Sequence, residues 1–244
     1  MTDILSGRKV QRHAPIREQV ASILRDAIVE LRLPPGQLLV ERQLCEMTSA
    51  SRPSVREALR QLEAEGLVES QNGRGTIVSI ASPELARNVY GVRAELEGFA
   101  AQLFTENATD EQRQKLRAAV EEVSAAVERA DKNSAILDAK NAVYNVLFVG
   151  SGNPILHQLL GTLQRRVTQL RALTLAQPGR PKQSAKEIED ILAAIERHDP
   201  AAARAAATFH VNQAAAIVLA TFDSAAAPSE STSSLAALFQ SPLE

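Results

Sequence analysis

Arg52, Arg56 and Arg60 recur every four residues in the stretch SRPSVREALR, so a helix there aligns them as a basic stripe beside the apolar stripe of Val55, Leu59 and Leu62. Guanidinium groups at that spacing suit phosphate, or the O6/N7 edge of guanine. Taken alone, such a stripe is more often a solvated helix face. A second set lies further on: Arg93 in VYGVR, Lys140 and Tyr144 on one helical stripe with Ile136, Val143 and Leu147, and His210 in TFH. An ammonium that points inward is costly unless something pairs with it. A guanidinium can hold a carboxylate through two parallel bonds. Tyr144 and His210 can add hydrogen bonds, although each by itself is more often a core residue with a satisfied polar tip. Arg165, Arg166 and Arg171 can also reach the cavity this set would line, although a solvated face is the default reading for them.

Composition narrows the chemistry. Four histidines in 244 residues, no nucleophile and base at usable spacing, and no Gly-rich phosphate loop leading into a helix argue against an enzyme. The single Cys45 cannot form an intramolecular disulfide and reads as a packed small residue. The start MTDILSGRK has no apolar signal region and no run approaches the length of a membrane span, so the expectation is a cytoplasmic protein without a membrane partner. A formal charge of −2 gives no global basic character, which argues against nonspecific DNA packaging and requires any nucleic-acid binding to come from a local patch. With no Trp and 3% aromatics there is little to stack on single-stranded bases.

These residues need elements to position them. Residues 1–14 have no helical period and read as a flexible arm. From Pro15, Ile16, Val20, Ile23, Leu24, Ala27, Ile28 and Leu31 give an amphipathic helix that LPPG stops; a shorter helix fits Glu41 to Met47. Ser51 or Ser54 can cap the third helix, with Ser54 and Glu57 matching a capping box and Gly66 ending it. LVES and TIVS read as short strands joined by QNGRG, with Arg74 at the tip. Three helices and a hairpin with a basic tip over residues 15–80 make a winged helix-turn-helix, whose third helix enters the major groove. Residues 83–222 carry only helical patterning: six segments, with 134–149 apolar nearly all round and Thr109/Gln112 as a capping box. The predicted fold is therefore mostly α, an N-terminal winged helix-turn-helix domain plus a C-terminal six-helix bundle. Residues 223–244, rich in Ser, Ala and Pro, read as a disordered tail.

The run PPGQLLVERQLCEMTSASRPSVREALRQLEAEGLVESQNGRGTIVS resembles the DNA-binding domain of GntR-family transcription regulators. The resemblance implies that Arg42, Arg52, Arg56 and the wing residues Gly73 and Arg74 approach operator DNA, with Ser51 and Ser54 suited to phosphate, and that Arg60 stays a surface or ion-pair residue. Thr48, Ser49 and Ala50 depart from the family's usual Leu-Gly-Val, and Cys45 from its usual Ala.

The second part is similar to the all-helical ligand-binding (FCD) domain of that family's FadR-like branch, through VYGVRAELEGFAAQLF, SGNP, LTLAQPGR and ILAAIERHDPAAARAAATFH. Many members hold a divalent metal with an Asp, and a His four residues later, on one helix and a His on each of two later helices. Here Lys140, Tyr144 and Ile188 stand at the first three positions and only His210 is retained, which implies no metal and no cofactor. Two readings of Lys140 stand. It pairs with an internal carboxylate or snorkels to the bundle end, or it replaces the metal's charge and binds an anionic effector together with Arg93, Tyr144 and His210. The expected whole is a homodimeric repressor, with an activator of the same architecture as the alternative, that binds a palindromic double-stranded operator and answers a small carboxylic or sugar acid.

Overall fold

The computed structural model describes residues 15–71 and 75–226; the arm, the wing tip with Gly73 and Arg74, the tail beyond residue 226, and the side chains of Arg165 and Arg166 lie outside the described residues. The first unit contains α1 (Ile16–Val29), β1 (Leu38–Leu39), α2 (Glu41–Thr48), α3 (Arg52–Ala64), β2 (Val68–Gln71) and β3 (Gly75–Val78). Its core gathers Val20, Leu24 and Ile28 of α1, Leu44 of α2 and Val55, Leu59 and Leu62 of α3 over Leu67 and Val78, and Cys45 packs against it. The hairpin gains a third strand, in the order β1-β3-β2, all antiparallel, with Leu38 opposite Ile77 and Val68 opposite Val78. A two-residue strand carries no alternation for the sequence to display, which is why β1 was not expected.

The turn between α2 and α3 is made by Ser49, which takes the left-handed conformation at φ 52. Ser51 is the cap of α3: its Oγ accepts from Ser54 N at 3.4 Å, with Pro53 in the first turn. The expected capping box of Ser54 and Glu57 does not form. The helix starts three residues earlier than that box requires, and Glu57 instead accepts from Arg60 Nη1 at 2.6 Å.

The second unit is six helices: α4 (Pro83–Asn107), α5 (Asp110–Glu128), α6 (Asn133–Gly150), α7 (Pro154–Leu175), α8 (Arg180–Glu196) and α9 (Pro200–Ala226). Local chemistry sets their starts. Ser82, Asn153 and Asp199 each accept a backbone N–H of the first turn, and Thr109 with Gln112 completes the reciprocal box. α4 and α9 pack closely at Gly98, where a β-carbon would lie 2.5 Å from Thr208 Oγ1. α6 is one-sided rather than apolar all round: Ile136, Val143, Leu147 and Phe148 are buried, while Ala135, Asp138, Ala142, Asn145 and Val149 are exposed. Over Pro200–Asp223, α9 is long and apolar enough by composition to span a membrane, contrary to the expectation that no run is. Alanines are the majority of its apolar residues, and Ala203, Ala207, Val211, Ala214 and Val218 are buried within the bundle.

α1 belongs to both units. Val29 at its end is buried in the core of the bundle, and Glu30 Oε1 accepts Ser134 N at 2.8 Å. That bond caps the first turn of α6, whose own N-cap residue, Lys132, offers no side-chain acceptor. Beside this junction Arg25 donates to both oxygens of Glu65, at 2.8 and 2.6 Å, and so ties α1 to the end of α3.

Candidate nucleic-acid interface and effector site

At the amino end of α3, Ser51, Arg52 and Arg56 are exposed and Ser54 is half-buried, and the hydroxyls of Ser51 and Ser54, 3.0 Å apart, lie together beside the two guanidinium-bearing positions. Arg52 carries no ion pair among the described residues. Arg56 Nε lies 2.8 Å from Glu41 Oε1, which holds the Glu41 carboxyl below its usual range and the guanidinium above its own. Arg42, on α2, stands 3.7 Å from Glu46. Exposed pairs of this kind are weak because water screens them, so both arginines can exchange a carboxylate for a phosphate at small cost. Arg60 is held by Glu57 a turn further along.

The second constellation lies inside the bundle. Arg93 on α4 donates to Glu97 Oε1 at 2.7 Å and its guanidinium carbon sits 4.9 Å from the centroid of Tyr90. Lys140 on α6 donates to Ser184 Oγ on α8 at 2.5 Å. Tyr144 OH and His210 Nε2 are 2.8 Å apart, His210 Nδ1 and Glu187 Oε2 2.6 Å, and Arg180 forks onto both oxygens of Glu187 at 2.6 and 2.8 Å. All four residues predicted for an effector are thus buried, in three neighbouring hydrogen-bonded sets: Arg93 with Glu97, Lys140 with Ser184, and Tyr144 with His210, Glu187 and Arg180. For Lys140 the partner is a hydroxyl, so the expected alternatives of a direct carboxylate pair and of snorkelling to the bundle end both fail.

Electrostatics in this core follow from crowding like charges away from water. Burial lowers Lys140 far below an ordinary lysine, and the charges of Arg171, Arg180 and Arg93 add to that. Burial also pushes His210 down to about 3, with Lys140 assisting and Glu187 opposing. A neutral imidazole there donates from Nδ1 to Glu187 and accepts the Tyr144 hydroxyl at Nε2. Tyr144 itself is raised to about 12, chiefly by burial.

Arg171 corrects the expectation of a solvated face. It is 4% exposed, donates to Asn141 Oδ1 at 2.6 Å and lies over the Tyr144 ring at 4.9 Å. Sequence reasoning also passed over Glu97, Arg180, Ser184 and Glu187. Their signal was present: Arg180, Ser184, Glu187 and Ile188 fall at the 0, 4, 7, 8 spacing of one stripe, and charged residues on an apolar stripe must be paired. A divalent metal does not fit here. Ile188 has no lone pair, the Lys140 ammonium repels a cation, and both nitrogens of His210 are engaged.

A winged unit with this helix end exposed reads duplex DNA, and the bundle fastened to it makes the chain a regulator of transcription. Residues 16–78 match the family described as bacterial regulatory proteins, gntR family, and residues 88–213 match the FCD domain. The HTH-type transcriptional repressor NanR of Escherichia coli is 31% identical over 241 residues, covering 86% of this chain and 88% of its own. An HTH-type regulator of Bacillus subtilis, YdhC, is 24% identical over 204 residues, covering 84% and 91%. Among solved structures, Escherichia coli McbR/YncC superposes with a TM-score of 0.70 at 22% identity over 86% of this chain and 100% of that one, a likeness of fold. The chain belongs to the GntR family of transcription regulators and carries an FCD domain. Its family consists of regulators, not enzymes.

Proposed function

We propose that the chain is a repressor that binds a palindromic operator as a homodimer in the bacterial cytoplasm and is released or modulated when its helical bundle takes up a small organic acid. The observation that carries the DNA half is the exposed amino end of α3, with Arg52 free of any ion pair among the described residues and Arg42 and Arg56 held only by exposed carboxylates. Ser51 and Ser54 suit phosphate, and Gly73 and Arg74 at the wing tip suit the backbone or the minor groove beside it. The repressor named among the relatives favours repression over activation. On the sensing side, Arg93, Lys140, Tyr144 and His210 are buried in one core where, among the described residues, cations outnumber carboxylates, an excess that an anion would balance.

A two-fold protein needs only two arrangements of its winged units, of which one matches the half-site spacing, and the acid acts by binding the other more tightly. The test compares operator and random duplex DNA by fluorescence anisotropy. Arg52→Ala should weaken operator binding by about 1–3 kcal/mol while barely changing affinity for random DNA, whereas Arg74→Ala should weaken both. Equal losses from Arg52→Ala on the two duplexes would remove this arginine from base reading.

A further inference from the structure

Over Pro200–Asp223, α9 is mostly apolar, yet only 28% of its most apolar stretch is buried within the bundle. A helix at the surface of a globular unit ordinarily turns a charged or polar face to water. Here the outward stripe of Ala201, Ala205, Phe209, Asn212 and Ala216 is exposed and carries no charge, with Phe209 55% exposed at its middle. Along that stripe runs an open groove of about 860 Å³ between α4 and α9. Its charged lining is already engaged: Arg204 donates to Glu95 at 3.1 Å and to Gln102 at 3.3 Å, and Asp199 accepts the N–H of Ala202. What the groove offers a visitor is therefore apolar surface, small side chains around one phenyl ring.

We propose that this groove is the docking site of the chain's own run Leu235–Phe239, which folds back along the outer face of α9. The run, LAALF, matches the groove in character, with three large apolar side chains, two alanines and no charge. The chain is also long enough. Eight residues, 227–234, join the run to the end of α9, and fully extended they span about 26 Å. From residue 226 back to Asn212 the helix measures about 21 Å along its axis, so the run arrives at Asn212 with slack for the reversal and passes on over Phe209 and Ala205. Pro228 and the Ser and Thr residues of the joining stretch suit that reversal. A second copy set with α9 on a two-fold axis would bring groove against groove and fill neither. The opposite face of the same helix carries the buried His210, so the docked run braces from outside the helix that serves the polar core from inside.

The chain has no tryptophan and one cysteine, which makes the test direct. In the full chain carrying Phe239→Trp, emission should lie at the short wavelengths of a ring shielded from water and resist quenching by iodide. Adding Phe209→Asp should shift it to the long wavelengths of a wetted ring; Phe209 is exposed, and an unchanged helical melt by circular dichroism verifies that the fold survives. In a Cys45→Ser background, Asn212→Cys with Ala237→Cys should form a disulfide within one chain under mild oxidation. Wetted emission from Phe239→Trp alone, or shielded emission that Phe209→Asp does not move, overturns the docking. So does the absence of that disulfide, or one that joins two chains. Linkage of two chains through Asn212→Cys alone overturns it as well and assigns the groove to a second copy.

Discussion

Lys140 shows most directly what a buried cation costs. Its one hydrogen bond is to Ser184, and burial together with three guanidinium groups disfavours its charge. Lys140→Met should therefore raise the stability of the ligand-free chain by about 1 kcal/mol or more in urea unfolding, since replacing buried ions by apolar groups of similar volume is often stabilising. The same variant should lose its thermal response to organic acids, and a destabilised Lys140→Met would show that the ammonium is better solvated than its surroundings suggest. His210 predicts the pH dependence. Its folded pKa of about 3 lies below the unfolded 6.5, so between those values the unfolded chain binds a proton that the folded chain refuses. Stability should thus fall as pH drops from 6.5 toward 3, with a slope of up to roughly 1.4 kcal/mol per pH unit from this residue. Glu187, lowered in the fold, adds a loss in the same direction at the acid end. His210→Gln should flatten the part of that slope above pH 4.5 in denaturant titrations taken at stepped pH.

At the scale of elements, helix contacts carry the site. α4 brings Arg93 and Glu97 inward on one side of Gly98, and α9 brings His210 two residues beyond Thr208 on the other. Gly98→Ala places a methyl within 2.5 Å of Thr208 Oγ1 and near the backbone of Arg204. The two helices must then separate, and the expected cost is about 1–3 kcal/mol of stability, read by calorimetry, with weaker organic-acid binding. Most of the element pattern was legible in the sequence because caps and apolar periods act locally: Thr109 with Gln112, Asp199 before Pro200, and the stripes of α5 and α8 appear as read, whereas of the α1 stripe Val20, Leu24, Ala27 and Ile28 are buried but Ile16, Ile23 and Leu31 are exposed. What was not legible depended on partners distant in sequence. β1 exists because β3 pairs with it, and Arg171 turned inward because Asn141 and Tyr144 await it thirty and twenty-seven residues earlier. The one-sided burial of α6 likewise reflects which neighbours arrive, which composition alone does not specify.

Across the whole molecule, the two units meet around a polar cleft of about 480 Å³ lined by Arg25 and Glu65 from the winged unit and by Asp138, Asn141, His157 and Gln164 from α6 and α7. Asn141 faces that cleft while also holding Arg171 of the buried cluster, so one residue is shared by the sensing core and the boundary with the DNA-reading unit. Glu30→Ala removes the acceptor that Ser134 N uses at the start of α6. By the usual worth of a helix cap, the full chain should lose about 1 kcal/mol of stability, and hydrogen exchange should rise at the first turn of α6, well away from α3. Unchanged exchange there would mean that water replaces the carboxylate at no cost.

The shared last turn of α1 bears on how such regulators can be taken apart and recombined. The thin place in the sequence, around Ser82, suggests a seam where a foreign DNA-reading half could be spliced in, but the folded chain has its joint at Val29 and Glu30. A chimera joined at Ser82 would inherit from its donor whatever residues stand at those two places. It would plug the bundle properly only if the donor supplied a small aliphatic followed by a carboxylate. Parts that look interchangeable along the chain are fitted to one another by a peg and a latch that lie some fifty residues upstream of the apparent cut.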